Sequence, residues 1–450
     1  MPHFDHHVLI CTQQKLEDKP YCSDHGAEAI LLELKRLLER HDLQQRVLVT
    51  PCGCLGLCRM GPNMVVYPAG TWYAQLDLED LPEIVTAHLG GGRPVQRLAQ
   101  RDAEQRWEMI RVRMERDRAE EAAHREAGVL PEPLRALASD FWASRAFLTA
   151  VELDLFTALE GGATAVEAAE RMGTDPRATE MLLNAMTSQG LLERSGARYE
   201  NGPETSLYLR RGAEDDARGA LMHRVNMWDS WSTLTECVRE GSTILNNMGA
   251  PSFTQAFIAA THKIATLAAP ALVSSLDLRG VRRVLDVGGG SGAYTVAVLQ
   301  AHPEATAELL DRPPVIRQAT RYVREAGLAD RVRLRPGDFL VDPLGDGFDL
   351  VLLSYVLHLN NPETNRRLLA KAFAALEPGG RLVINDYVLN REKTLPRHAA
   401  LYALNMLVST PAGTVYSHDE IAALLSDTGF QHTTRVPLLG PTDLVTAVKP

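Results

Sequence analysis

The spacing of apolar residues along the chain changes several times, and each change predicts an element. Residues 8–10 (Val-Leu-Ile) form a short continuous apolar run, of strand length, that ends at Cys11. Over 27–40, Ile30, Leu31, Leu34, Leu37 and Leu38 recur at three- and four-residue intervals, which predicts an amphipathic helix. Residues 46–50 read as a second strand running into a cysteine-rich turn. Residues 64–67 and 72–76, parted by Pro68-Ala69-Gly70, read as a hairpin, and 81–89 as a closing helix.

A different pattern follows. From 100 to 126 the chain is dense in Arg and Glu with few apolar residues, which predicts an exposed helix or semi-rigid spacer ended by Gly128, Pro131 and Pro133. From 134 it turns apolar and helical (Phe141, Trp142, Phe147, Leu148, Val151, Leu155, Phe156). Two short helices over 164–173 and 175–189 precede strand-like 190–193 and 198–200, the outline of a winged helix. Beyond that, strands alternate with helices: 284–287, 307–310, 332–334, 348–353 and 382–384, with 445–448 closing the sheet as an edge strand. Such alternation predicts an α/β fold whose mostly parallel sheet binds ligands beyond its carboxyl edge. The expected domains are 1–98, a charged linker over 99–130, a small helical domain over 131–215, and a large α/β domain over 216–450.

A chain of 450 residues is long enough for two or three cores. Its net charge of −10, without a long basic run, argues against nucleic acid or an anionic membrane as partner, and the small acidic helix at 165–170 argues against reading DNA through the winged unit. No apolar run reaches about 18 residues, so no membrane span is expected. The start lacks the basic-then-apolar layout of a signal peptide, and a cytoplasmic location is expected.

The densest chemical signal is Val284-Leu285-Asp286-Val287-Gly288-Gly289-Gly290-Ser291-Gly292. Glycines at a strand-to-helix turn let the backbone approach a ligand, and the next helix offers free N–H groups at its start. Gly288, Gly290 and Ala293 satisfy a dinucleotide fingerprint, with Asp311 at a workable distance. Two features point elsewhere. Asp286 sits inside the motif, where it can orient the turn or a ligand ammonium, and after 332–334 comes Gly337-Asp338-Phe339, an acceptor beside an apolar ring suited to an adenine edge. Acid, glycine turn (Gly288, Gly290, Gly292), ribose acid Asp311 and adenine residues Asp338 and Phe339, in that order, resemble a class I S-adenosylmethionine (SAM) methyltransferase of Rossmann-like fold.

Methyl transfer from a sulfonium is an in-line displacement in which the acceptor must also lose a proton, and a histidine is the natural base. His358 lies just past the fourth strand of this domain. Residues 134–448 resemble the caffeate and flavonoid type of small-molecule O-methyltransferase, on Asp311-Arg312-Pro313-Pro314-Val315-Ile316, on His358, and on the segment 404–411. The resemblance implies a winged-helix dimerisation domain, a homodimer and His358 as catalytic base. It also implies Asp386 in place of the orienting glutamate, Trp231 where an aromatic approaches the cofactor, and Asn405 and Met406 along the pocket. The chain departs from that pattern at Val415, Leu359 and Ser354, where the family has a second orienting acid, an aspartate and a lysine.

Five of the six cysteines crowd into positions 11, 22, 52, 54 and 58. Outside an oxidising compartment such crowding favours metal over disulfides. Cys11, Cys22, Cys54 and Cys58 supply soft sulfurs for zinc or an iron–sulfur cluster, and a first pair ten residues apart suits a zinc knuckle poorly. Cys52 reads as a bystander, and His3, His6, His7 and His25 as solvated or turn residues. Residues 4–98, through Thr50-Pro51, Cys54, Cys58, Met60-Gly61-Pro62, Val65-Val66-Tyr67-Pro68 and Gly70-Thr71-Trp72-Tyr73, resemble the thioredoxin-like 2Fe–2S ferredoxins. There the four cysteines hold the cluster.

Methyl transfer moves no electrons, and no C-x3-C-x2-C run supports radical chemistry. The expected function is therefore twofold: methylation of a small molecule, foremost at a hydroxyl, beside a ferredoxin domain that passes electrons to, or docks, a redox enzyme. The alternative is an electron carrier or redox sensor whose methyltransferase half is a scaffold. NAD-dependent oxidoreduction fits the acids and the Gly-Asp-Phe positions less well.

Overall fold

A computed structural model describes residues 4–12, 22, 25–57, 60–99, 103–213, 215–245, 251–438 and 441–450, with the backbone alone for 103, 132, 251–256 and 260. The chain divides into two compact units, Met1–Trp142 and Ala143–Pro450.

In the first unit, β1 (His6–Cys11) pairs in parallel with β2 (Val47–Cys52), across the helix Ala27–Arg40. It pairs on its other side, antiparallel, with β3 (Asn63–Tyr67), which forms a hairpin with β4 (Thr71–Ala74). The order is β2-β1-β3-β4. Val8 and Ile10 from β1 and Met64 and Val66 from β3 meet Ile30, Leu34 and Leu37 of the helix, so the spacing visible in the sequence becomes one buried face. Helical turns over Leu78–Gly90 close the core with Leu81, Ile84, Val85 and Leu89.

The charged helix Ala103–Glu126 is formed as expected, but it is not merely a solvated rod. Arg106 lies over the Trp72 ring at 5.6 Å, Ile110 fills the space beside Gly56, and Arg113 bonds the Cys54 sulfur. These residues stand four and then three apart, so they share one helix face. Trp107 and Met114 stay exposed.

The second unit begins with helices and a small sheet of order β5-β7-β6, where β5 is Ala163–Thr164, β6 Leu192–Ser195 and β7 Arg198–Asn201. Its core joins Val151, Leu155, Phe156, Leu183, Met186 and Tyr199. Helix starts are marked by side-chain caps: Thr164 with Glu167 forms a capping box before Ala165–Met172, and Asp175 caps Pro176–Ser188.

The large sheet has seven strands: β8 (Arg283–Val287), β9 (Thr306–Asp311), β10 (Val332–Pro336), β11 (Phe348–Ser354), β12 (Leu376–Asp386), β15 (Gln431–Pro437) and β16 (Asp443–Val448). The order is β10-β9-β8-β11-β12-β16-β15. The first five run parallel, while β16 is antiparallel to β12 and β15 antiparallel to β16. Chain progression along the sheet reverses between β8 and β11, the place where open α/β sheets bind ligands. The remaining strands, β13 (Val388–Leu389) and β14 (Tyr416–Ser417), make a separate short pair.

One expectation is corrected. The edge strand is β15, not 445–448: Gln-His-Thr-Thr-Arg-Val-Pro lacks a buried face, and β16 is covered on both sides. One helical window among the described residues, Phe257–Ser274, is long and apolar enough to cross a membrane by length and composition. It contains His262, Lys263 and Pro270, and Ala269 and Leu272 pack into the sheet's core.

Candidate active site

Five parallel strands deliver the expected residues to one edge. At their carboxyl ends β10 leads to Asp338 and Phe339, β9 ends in Asp311, β8 runs into the glycine turn, β11 leads to His358, and β12 ends in Asp386.

The glycine turn is shaped by contacts on both sides. Gly288 has φ +71°, and its N–H bonds Leu310 O at 2.8 Å. A Cβ there would lie 2.9 Å from Val356 and 3.3 Å from Phe339, so only glycine fits. Gly290, with φ +59°, differs: a Cβ there would meet nothing within 4 Å, so the turn presents bare backbone to open space. Gly292 begins the helix Ala293–Ala301.

Asp311 is 8 % exposed and accepts the Gly290 N–H at 2.9 Å and the Arg312 N–H at 2.7 Å. Burial pushes its carboxyl above the usual carboxylate range, against those two bonds. The replacement of leucine by Arg312 leaves the carboxylate in place. Asp286 is buried further, at 1 % exposure. Its Oδ2 accepts Thr295 Oγ1–H at 2.5 Å, while Oδ1 has no hydrogen-bond partner among the described residues. Burial pushes this carboxyl up to about 7, with Asp311 adding to the rise and the Thr295 bond opposing it. Asp338 is exposed and accepts Leu340 N–H at 2.9 Å, while Phe339 packs on the core beside Gly288.

His358 and Asp386 form a buried pair. The imidazole Nδ1 stands 2.6 Å from Asp386 Oδ1, and the His358 N–H approaches Oδ2 at 3.3 Å. Asp386 Oδ1 also accepts Tyr387 N–H at 2.8 Å. A carboxylate on Nδ1 fixes the ring as the Nδ1–H tautomer and leaves Nε2 as the proton acceptor.

Tyrosines enclose this histidine and carry no signal in the sequence motifs. Tyr402 meets the His358 ring edge-on at 5.3 Å and stacks on Tyr387 at 3.9 Å, and Tyr355 lies 6.2 Å from His358 with a left-handed backbone (φ +60°). Burial pushes the Tyr387 hydroxyl up to about 12 and that of Tyr402 higher still, with Arg224 working against both shifts. Trp231 Nε1–H donates to Asn405 Oδ1 at 3.0 Å, and Met406 is buried in the same helix as Asn405, Arg397–Ser409. A second unforeseen pair is His262 and Ser291: Nδ1 lies 2.8 Å from Oγ, and the imidazole stacks on Tyr322 at 3.6 Å. No local spacing announces a contact between residues so far apart.

An open cleft at the opposite, amino edge of the sheet is lined by Arg283, Glu308, Arg331 and Arg333, and includes none of these residues. Glu308 pairs there with Arg333 and Arg335, each at 3.5 Å.

In the first unit Cys11 and Cys22 are fully buried in one cluster with Ala27, and Cys52 packs against it. Burial, then Cys11 and Cys54, push the Cys52 thiol up to about 11. Asn63 Nδ2–H points at Cys22 Sγ (3.4 Å) and Gly56 N–H at Cys54 Sγ (3.3 Å). Cys58 and His3 lie outside the described residues. Among the described residues no three His, Cys, Asp or Glu side chains stand together as a metal site. The four-sulfur group expected from the sequence is thus not assembled among them. Cys54 stands exposed at the surface, and Cys52, read as a bystander, joins the buried pair.

The chain is similar to known methyltransferases. The O-methyltransferase domain model matches residues 231–431, and the O-methyltransferase dimerisation domain model residues 136–211. The 3-hydroxy-5-methyl-1-naphthoate 3-O-methyltransferase of Streptomyces sahachiroi is 35% identical over 321 residues, 69% of this chain and 92% of that protein. The L-tyrosine C(3)-methyltransferase of Streptomyces lavendulae is 30% identical over 324 residues, 67% and 88% of the two chains. Among solved structures, PigF with SAH superposes with a TM-score of 0.67 at 25% identity, over 71% of this chain and 100% of that one. The chain belongs to the O-methyltransferase family.

Proposed function

We propose that this enzyme transfers the methyl group of SAM to a hydroxyl of a small molecule, with His358 as base and Asp386 holding its imidazole. The observation that carries the reading is the 2.6 Å contact between His358 Nδ1 and Asp386, buried at the sheet edge that also carries the glycine turn. The residues present suit SAM: a bare-backbone surface at Gly290, the buried Asp311 carboxylate, and an unpartnered Asp286 oxygen available to an ammonium group. Phe339 and Asp338 stand ready for the adenine, and Trp231 borders the pocket through Asn405.

When bound, SAM supplies an electrophilic methyl group. The protein holds the acceptor oxygen in line with it, and His358 Nε2 takes the hydroxyl proton while Asp386 stabilises the resulting imidazolium. The tyrosines about His358 keep water from the ring. Of the two relatives above, one is named for methylation at oxygen and the other at carbon, so family membership leaves the atom open; the dyad favours a hydroxyl. The dimerisation match supports a homodimer, with domain limits at 131–215 and 216–450. Equilibrium dialysis against labelled SAM and NAD tests the cofactor. Retention of SAM, lost in Asp311→Ala, supports the reading; retention of NAD alone overturns it.

For residues 1–98 we propose a thioredoxin-like 2Fe–2S ferredoxin, joined to the enzyme through the 99–130 linker and serving a redox partner. The strand order β2-β1-β3-β4, with one parallel and two antiparallel pairings, supports the fold. Cys11, Cys22, Cys54 and Cys58 would hold the cluster. Their soft sulfurs fit it by donor chemistry, and N–H groups of Asn63, Gly56 and Arg113 already point at two of them. The cluster would supply one-electron transfer. Iron and sulfide near two each per chain, lost in Cys54→Ser and kept in Cys52→Ser, is the expected assay; a colourless, iron-free chain would overturn it.

A further inference from the structure

Ser291 carries the one side chain within the turn 288–292, and it is buried at 5 % exposure. The partner of its hydroxyl comes from outside the turn. Ser291 Oγ lies 2.8 Å from Nδ1 of His262, on the helix Pro251–Ser274. Burial, and then Arg321, hold His262 below its usual pKa, with Glu325 opposing them, and either tautomer of the neutral ring satisfies the hydroxyl. The face of the same imidazole stacks on Tyr322 at 3.6 Å and 20°. Arg321 also lies over that tyrosine ring, at 4.4 Å, and pairs with Glu325 at 3.6 Å. Tyr322 belongs to the helix Pro313–Glu325, which starts just after Asp311. Asp311 in turn accepts the N–H of Gly290, the neighbour of Ser291. The contacts close a ring: His262 to Ser291, Gly290 to Asp311, and along the 313–325 helix to Tyr322 and back to the imidazole.

We propose that His262 is a positioning residue for SAM, which fixes the separation between the bare backbone at Gly290 and the Asp311 carboxylate and so governs affinity for the cofactor; the inference rests on the SAM reading above. A turn that presents bare backbone is soft, because a Cβ at Gly290 would meet nothing that could hold it. Such a turn keeps one conformation only when rigid elements bond to it, and a ligand that must order a loose turn binds more weakly for doing so. Two rigid elements are at hand. The 251–274 helix is anchored through Ala269 and Leu272, and the 313–325 helix through Ile316, Ala319 and Val323, in one and the same core. His262 joins the two helices to the turn, through its nitrogen on Ser291 and its ring on Tyr322. It acts through the turn and has no part in the proton transfer assigned to His358.

The test is equilibrium dialysis of the full chain against labelled SAM and labelled S-adenosylhomocysteine, with thermal melts of the ligand-free proteins. His262→Ala should weaken SAM binding by about tenfold, and adding Ser291→Ala to it should cost nothing further, because both changes open the same ring. His262→Phe keeps a ring on Tyr322 without the nitrogen and should match Ser291→Ala alone. S-adenosylhomocysteine should weaken by the same factor as SAM, since the ring of contacts does not read the sulfonium charge. A merely structural histidine would lower the melting temperature and leave both affinities within about twofold of the wild type. That result in a folded His262→Ala protein would overturn the proposal, as would additive losses in the double variant or a loss confined to SAM. Should His262→Ala fail to fold, Ser291→Ala and His262→Phe decide, and wild-type affinity in both refutes it. A wild-type chain that binds no SAM overturns the cofactor reading as well. Binding lost in Asp311→Ala but kept in the His262 variants leaves that reading standing and removes this one.

Discussion

Asp286→Asn probes the cofactor site through its proton. The carboxyl is 1 % exposed, has one short bond from Thr295 and an unpartnered second oxygen, and is pushed up to about 7 against an ordinary 3.8. At about 1.4 kcal/mol per unit, that shift favours the protonated form in the ligand-free protein by roughly 4 kcal/mol. A raised pKa means that the folded protein holds a proton the unfolded chain has lost, so the contribution of Asp286 to the stability of the ligand-free enzyme is fully present below about pH 4 and is lost as pH rises towards 7. An ammonium group on Asp286 reverses the preference, so binding SAM must expel the proton. Below pH 7 affinity then falls about tenfold per pH unit, and Kd weakens roughly 25-fold between pH 7.5 and 5.5. Asp286→Asn, with no proton to lose, should bind more weakly at pH 7.5, with Kd nearly flat over that range. Calorimetry in two buffers of different ionisation enthalpy counts the proton released, and thermal melts of the ligand-free protein give the stability side. Asp311 is raised as well but is unchanged in the variant, which serves as its control. A flat wild-type profile, or an equal slope in Asp286→Asn, would refute the reasoning.

Asp386→Asn should leave SAM binding intact and lower kcat by about 10²–10⁴-fold, because an amide can present N–H to Nδ1 and turn the ring to the wrong tautomer; single-turnover transfer measures it. Gly288→Ala should cost stability, since a left-handed backbone adds roughly 1–2 kcal/mol to the contacts with Val356 and Phe339. Gly290→Ala meets no neighbour, so its melting temperature should fall less while SAM affinity falls more. The two melts and two SAM titrations together separate a packing glycine from a ligand-facing one.

Much of this site was legible because strands buried on both faces read as continuous apolar runs, and their carboxyl ends fall where the runs stop. Leu350 to Leu353 is such a run, and His358 follows it. Asp286, the three motif glycines and Asp311 stand within or just after such runs, whereas Asp386 entered through the family resemblance. Strand β15 escaped because Gln431 to Arg435 is polar on both faces, as an edge strand can be when only one neighbour pairs with it. Tyr402 and Tyr387 escaped because a tyrosine at helical or strand spacing reads as ordinary core; their stacking beside His358 depends on how the Arg397–Ser409 helix crosses the sheet edge. The bond between His262 and Ser291 joins residues that only the tertiary fold brings near. The linker helix shows the same limit from the other side. Its charge pattern predicted solvent on every face, and Ile110 against Gly56 needed the cysteine loop in place before it had anything to pack on.

The most direct test pairs His358→Ala with the wild type, measuring SAM affinity and transfer of a labelled methyl group to a panel of hydroxylated small molecules. In His358→Ala, SAM Kd should stay within about twofold while transfer falls by about 10²–10⁴-fold, as for loss of a general base. Undiminished transfer, or a loss of binding as large as the loss of turnover, would contradict that role.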